Sequence, residues 1–366
     1  MSATTRKSDR LAVHRIRGPL HHFREALGRG TVRVGFLGGS ITDQKTGTRW
    51  PEAFAGWLTT RWPDVRWIIE NAAIGATGSD LAAFRARRDA IGRECDLVFV
   101  EYSVNDHDTP PARRMRAREG LIRQLLADGS RDLVLVHTFR QEFHGHMTRG
   151  AVPRSIADFE KLAGRYGINS VWAGLHAWRQ VRSGLMRWEE WLPDGLHPEQ
   201  RGSLSYAEAV IANIEQGLAS QGRPRRRPAP LDPLCWEQPR LIPFGELERS
   251  GPWTERRWGS LNWIDQVLFT AAPGASLRGR FRGHTLLAAF DFGSDSSEIR
   301  WRIDRGRWRV SRRDRPAWCG RSGWFRPLVL AEGLRPGAHT FELETIHGDA
   351  PGCTGTTTCL AFLGAV

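Results

Sequence analysis

The sequence predicts an α/β domain built on a doubly wound parallel sheet, followed by an all-β sandwich. Three observations carry this. Over residues 31–219 short apolar runs alternate with longer helix-like stretches, the rhythm of a parallel sheet covered on both faces. Residues 220–234, SQGRPRRRPAPLDPL, hold more proline than a helix or a central strand tolerates and read as a linker. From 235 to 366 the apolar period drops to two, the mark of half-buried strands. Residues 1–30 precede the first strand and read as an N-terminal extension.

Within the first domain, VRVGFL (32–37) is a buried-strand pattern ending in a glycine-rich turn. PEAFAGWLTTRW (51–62) has helical spacing. VRWIIENA (65–72), DLVFVEYS (96–103), DLVLVHTF (132–139) and INSVWA (168–173) are the further strands. Helices are expected over 120–128, 154–166 and about 201–218. In such sheets functional side chains collect beyond the C-terminal ends of the strands. In the second domain SEIRWRIDRGRWRV (297–310) alternates Ile299, Trp301 and Ile303 on one face. It turns at Asp304–Gly306, with the glycine expected to supply the positive φ. Trp308 continues the pattern, so one of the two tryptophans is expected in the core. HTLLAAFDF (284–292), HTFELET (339–345) and CLAFLGAV (359–366) are further strands, and the whole fits a sandwich.

Composition narrows the function classes. A chain of 366 residues with 40% hydrophobic and 25% charged residues is globular rather than disordered or fibrous. No apolar run approaches a membrane span, and the N-terminus has no signal-peptide core. Five cysteines without regular spacing make no disulfide framework, although Cys353 and Cys359 lie close enough in sequence to bridge. A cytoplasmic protein with reduced thiols is expected. The net charge of +13 comes almost wholly from arginine, since lysine occurs only at Lys7, Lys45 and Lys161. The arginines are scattered rather than in blocks, which favours a solvated basic surface over a nucleic-acid partner. A homo-oligomer stays open.

Four segments carry chemistry, each where a strand or turn ends. Ser40 lies in Gly38-Gly39-Ser40-Ile41-Thr42, directly after the first strand. Taken alone it fits a nucleophile, an anion cradle or a tight turn, but not a P-loop, because no Gly-Lys follows. Gly75 and Ala76 lie in a small-residue turn able to present main-chain N–H groups. Asn105, in Ser103-Val104-Asn105-Asp106-His107, offers a neutral amide donor for an oxyanion, or merely caps a turn. Asp194 and His197 are three residues apart, so one turn can set the carboxylate on one imidazole nitrogen and free the other as a base. His21, His22, His144 and His146 show no ligand spacing, and neither metal nor cofactor is expected.

In order and spacing these segments resemble the SGNH (GDSL) hydrolase family. The resemblance covers about residues 30–218. Ser40 matches the block I nucleophile, in GGSIT rather than GDSL. The Gly75–Ala76 turn matches block II, Asn105 the asparagine of block III, and Asp194 with His197 the Asp-x-x-His of block V. IGATGSD (74–80) and LVFVEYSVND (97–106) look like a bacterial subgroup with an appended C-terminal β domain. Two positions depart from the pattern: Ser103 stands where block III usually has glycine, and Ala76 where block II often has it. An α/β-hydrolase is excluded, because no Gly-x-Ser-x-Gly elbow surrounds Ser40 and its acid and histidine share one turn.

The resemblance implies a flavodoxin-like doubly wound sheet and a serine esterase. Its catalytic residues would be Ser40, His197 and Asp194, and its oxyanion hole the N–H of Ser40, that of Gly75 or Ala76, and the amide of Asn105. Many relatives of this architecture look like carbohydrate O-deacetylases, which makes a small-molecule or oligosaccharide ester the expected substrate. A short-chain esterase or thioesterase, or a glycan-binding protein dominated by its β domain, are the alternatives. Sixteen tryptophans, eight of them after residue 222, serve either as sandwich core or as sugar platforms.

Overall fold

A computed structural model describes residues 11–43, 49–222, 227–259, 264–313, 316, 319, 324–349 and 354–366. The chain divides into two compact units, Met1–Glu237 and Gln238–Val366.

The first unit is a six-stranded sheet with helices on both faces. Its strands are β1 (His14–Arg15), β2 (Thr31–Gly38), β3 (Arg66–Asn71), β4 (Leu97–Glu101), β5 (Asp132–Val136) and β6 (Asn169–Val171). Their order is β1-β6-β5-β4-β2-β3, with β2 to β6 parallel and β1 antiparallel on the edge. The parallel strands run in the flavodoxin-like order, so the chain reverses direction across the sheet at β2, where a cleft opens beyond the strand ends. Every residue of β4 is buried, as expected of a strand covered on both sides.

One face is packed by α1 (His21–Arg29), α2 (Trp50–Arg61), α7 (Ala173–Arg182), α8 (Trp188–Trp191) and α9 (Gln200–Ala219). They supply Phe23, Trp50, Phe54, Leu175, Trp191 and Val210. The other is packed by α3 (Ser79–Ala86), α4 (Pro111–Leu125) and α6 (Arg154–Tyr166), with Ala82, Leu121, Leu125, Phe159 and Leu162. A short α5 (His144–Thr148) lies between them in the chain.

Three sequence expectations change. Residues 11–30 are no extension outside the domain: β1 pairs with β6, and α1 buries Phe23 and Ala26. The helix expected over 120–128 begins nine residues earlier, at Pro111, where proline needs no N–H partner. Its first half escaped the apolar pattern because Arg114 and Arg118 are buried there through ion pairs with Asp158 and Asp106. The expected linker is only partly a spacer. Residues 227–237 lie along α4, where Leu231 N–H and Asp232 N–H donate to Glu119, Arg123 pairs with Glu237 and Trp236 is fully buried. The division between units therefore falls after Glu237, not at 234. A Cβ on Gly120 would stand 2.3 Å from the Trp236 backbone, so only glycine lets this segment pass.

The second unit holds two antiparallel sheets. Its strands are β7 (Arg240–Ile242), β8 (Glu248–Ser250), β9 (Thr254–Arg257), β10 (Gln266–Thr270), β11 (Ser276–Gly283), β12 (Leu286–Phe292), β13 (Glu298–Ile303), β14 (Arg309–Val310), β15 (Trp324–Ala331), β16 (Gly337–Ile346) and β17 (Thr358–Ala365). One sheet runs β15-β12-β17-β10-β9, with β7 also on β17; the other runs β14-β13-β16-β11-β8. Leu268, Phe290, Leu330 and Leu363 of the first meet Leu277, Ile299, Trp301 and Leu343 of the second in one core.

Trp301 is buried and donates to the Leu330 carbonyl, while Trp308 is 38% exposed. The turn between β13 and β14 differs from expectation. Asp304 and Arg305 carry the positive φ values, 51° and 59°, and Gly306 does not. Asp304 tolerates this because its carboxylate accepts from Thr340 N–H and pairs with His339. Cys353 lies outside the described residues. Cys95, Cys235 and Cys359 are buried free thiols, and Cys319 is buried. Among the described residues no helix is long and apolar enough to cross a membrane.

Candidate active site

The four segments singled out for chemistry in the sequence meet beyond the C-terminal end of β2. β2 ends at Gly38, and the chain turns at once: Thr42 and Asp43 N–H both donate to the Gly39 carbonyl at 3.0 Å. This tight turn lifts Ser40 out of the sheet. Its hydroxyl lies 2.8 Å from His197 Nε2. His197 Nδ1 lies 2.7 Å from Asp194 Oδ2, while Asp194 Oδ1 accepts the N–H groups of Leu196 and His197 at 2.8 and 2.7 Å. The loop can close this tightly because Gly195 adopts a φ of +78°. Burial pushes the Asp194 carboxyl up, but the His197 N–H, its imidazole and the Leu196 N–H outweigh that and hold it below the usual range. The carboxylate is thus ionised at neutral pH and fixes the proton on Nδ1, leaving Nε2 to face the serine.

Gly75 stands against the serine: a Cβ there would be 3.5 Å from Ser40 Cβ. Its N–H donates to Asp43 Oδ2 at 3.1 Å. Ala76, the next residue, has φ +58°, a left-handed conformation that alanine seldom takes. The Asn105 amide lies against the nucleophile turn from the β4 side, where a Cβ on Gly39 would meet it at 2.0–2.7 Å. The Asn105 side-chain oxygen is buried and makes no hydrogen bond among the described residues. That is not the pattern of a turn-capping asparagine.

Sequence reasoning missed the groups beneath this turn. Glu101, the last residue of β4, is fully buried. It accepts from the hydroxyls of Thr138 and Thr42 at 2.8 and 3.2 Å, and from Gly39 N–H at 3.4 Å. Burial pushes its carboxyl up to about 7 against these three donors. It read as part of an apolar strand, and nothing local marks a carboxylate that turns inward. Asp43 was also missed, for its role depends on a partner 32 residues away.

Asp106 shows what holds the Asn105 loop. It accepts Ser79 N–H at 2.8 Å and pairs at 2.6 Å with the fully buried Arg118. The Arg118 guanidinium also lies over the Phe159 ring.

Ser40, His197 and Asp194 thus meet in turn at the switch point of a flavodoxin-like sheet, the arrangement that the resemblance to SGNH hydrolases implied. Residues 36–203 match the sequence model of the GDSL-like lipase/acylhydrolase family. Among solved structures the chain is similar to a two-domain esterase active on acetylated mannans. The identity is 19%, 95% of this chain and 96% of that one are covered, and the TM-score is 0.82. The same esterase co-crystallised with mannopentaose gives 19% identity, 95% coverage of each chain and a TM-score of 0.81. At that identity the likeness shows the shared two-domain fold. An acetyl xylan esterase from Geobacillus stearothermophilus matches half of the chain, 50% against 94% of its own, at 19% identity and a TM-score of 0.41. Comparison with curated protein sequences gives no match.

Proposed function

We propose that this chain is a serine esterase that removes small acyl groups, acetyl above all, from a carbohydrate. The observation that carries the reading is the continuous contact Ser40–His197–Asp194, 2.8 and 2.7 Å, in an ester hydrolase fold. His197 Nε2 takes the proton from Ser40 as its oxygen attacks the ester carbonyl. The oxyanion then faces the Ser40 N–H, a block II N–H and the Asn105 amide. For block II, Ala76 is the better donor, because the Gly75 N–H is already given to Asp43. The left-handed Ala76 is also where a block II glycine would be at ease. His197 returns the proton to the leaving alcohol, then activates the water that frees the acid. Asp194 keeps the tautomer and balances the imidazolium. A carbohydrate acetate as substrate is supported by the two-domain esterase, whose described activity is on acetylated mannans.

The test is acetate release across acetylated oligosaccharides and aryl esters of increasing chain length. Ser40→Ala is expected to abolish release with the melting temperature unchanged, and Asn105→Ala to lower kcat by about 10²–10³. Full activity in Ser40→Ala would end the proposal. A preference for longer acyl chains or thioesters would move the substrate class and leave the nucleophile in place.

A further inference from the structure

One buried polar chain behind the site has no part in this mechanism. Ser103, two residues before Asn105, is fully buried, and its hydroxyl lies 2.7 Å from His137 Nδ1. His137 Nε2 lies 2.9 Å from Glu160 Oε1, and Glu160 is ion-paired with Arg17 and, at 3.2 Å, with Arg15. Serine, histidine and carboxylate thus follow one another as in the Ser40 site, with the ring nitrogens exchanged. No ester can reach them. Ser103 and His137 are 0% and 1% exposed, and the adjoining cavity beside His137, Glu160 and Trp172 is about 10 Å³, room for at most one water.

The carboxylate end of the chain has a fixed direction. Burial pushes the Glu160 carboxyl up, but His137, Ser170 and Arg17 hold it well below the usual range. Staying ionised, it accepts only, so His137 Nε2–H donates to it, and Nδ1 is left in hydrogen-bond contact with the Ser103 hydroxyl. The Ser103 carbonyl is held separately, by the Ser155 hydroxyl. Asp106, on the other side of Asn105, is tied to Ser79 and Arg118. Asn105 therefore projects from a short span clamped at both ends, against the Gly39 turn.

We propose that Ser103, His137 and Glu160 are positioning residues, a buried relay that fixes the backbone from which Asn105 reaches the oxyanion. This rests on Asn105 being an oxyanion donor. It gives a purpose to the serine that replaces the usual block III glycine: a side chain at 103 allows the loop to be fastened to β5 and α6.

A network that only satisfies core groups would affect stability independently of Asn105. A positioning relay acts on rate, and only through Asn105. The experiment is a double-mutant cycle in the full chain. It is read as kcat and KM on an aryl acetate and as the rate of Ser40 labelling by a fluorophosphonate, with thermal melting alongside. Ser103→Ala is expected to lower kcat and labelling about tenfold with KM within about twofold. Glu160→Gln, which keeps the side-chain shape and guards against misfolding in the first variant, should lower both in the same direction by less. In an Asn105→Ala background neither change should lower the rate further.

The proposal fails if both variants keep full kcat, or if each costs the same factor with and without Asn105. Full activity in Asn105→Ala alone would remove the oxyanion assignment and the relay with it. Ser40→Ala separates that outcome from failure of the esterase reading itself.

Discussion

Glu101 is a carboxyl that accepts hydrogen bonds from neutral donors alone among the described residues. Two hydroxyls and one N–H donate to it, and burial outweighs them, so its pKa rises to about 7. The consequence for stability has a definite sign. An unfolded glutamate titrates near 4.5, so between that pH and about 7 the folded chain holds a proton that the unfolded chain has lost. The stability linked to this group is complete below 4.5 and is lost as pH rises through 7, by about 3 kcal/mol in all. Glu101→Gln keeps a neutral side chain of the same shape at every pH. Urea midpoints should show the variant gaining on the parent chain between pH 5 and pH 8, and a constant difference would place the Glu101 ionisation elsewhere. The same residue marks a limit of the sequence. Ser40, Asn105, Asp194 and His197 were legible because each breaks a strand or turn pattern with a reactive side chain. Glu101 was not, since a single acid at the end of LVFVE looks like a solvated strand end.

The helix α4 shows the corresponding limit for an element. Hydrophobic period locates a helix only where its inner face is apolar, and α4 instead buries arginines matched to acids from elsewhere in the chain. Arg114 meets Asp158, Arg118 meets Asp106 and Arg123 meets Glu237. Part of the arginine content is therefore internal, but each of these arginines is matched by an acid, so the net charge of +13 is left to the rest of the chain. The strands of the parallel sheet were found to within a few residues; for β4, β5 and β6, burial on both faces writes itself as continuous apolar runs. The Arg118–Asp106 pair has a testable weight. Asp106→Ala leaves a fully buried guanidinium without its counter-charge and should destabilise the fold by about 3–5 kcal/mol in urea unfolding. A loss under 1 kcal/mol would mean that the Tyr102 and Ser155 carbonyls, which also accept from Arg118, suffice.

Across the whole molecule, the change from α/β to all-β character was plain in the sequence. The point of division was not, because proline density near 220–234 marks irregular backbone whether that backbone is free or docked. Docking was decided by contacts invisible locally: Glu119 taking two N–H groups, Trp236 buried, Gly120 admitting its backbone. Gly120 supplies the check. In an ordinary helix interior, glycine to alanine gains about 1 kcal/mol. Here the new Cβ meets main chain at 2.3 Å, so Gly120→Ala should lower the melting temperature instead. A rise would mean that the segment is not seated on α4.

The docked segment also fixes where the molecule can be divided. Anyone exchanging the C-terminal module, or grafting this hydrolase onto another partner, would be drawn to cut among the prolines. That cut would strip Trp236 and Glu237 from the hydrolase and hand them to a module in which they have no seat. A junction after Glu237 keeps the donor whole, and a graft library staggered across 220–240 should show activity appearing only when that residue is retained.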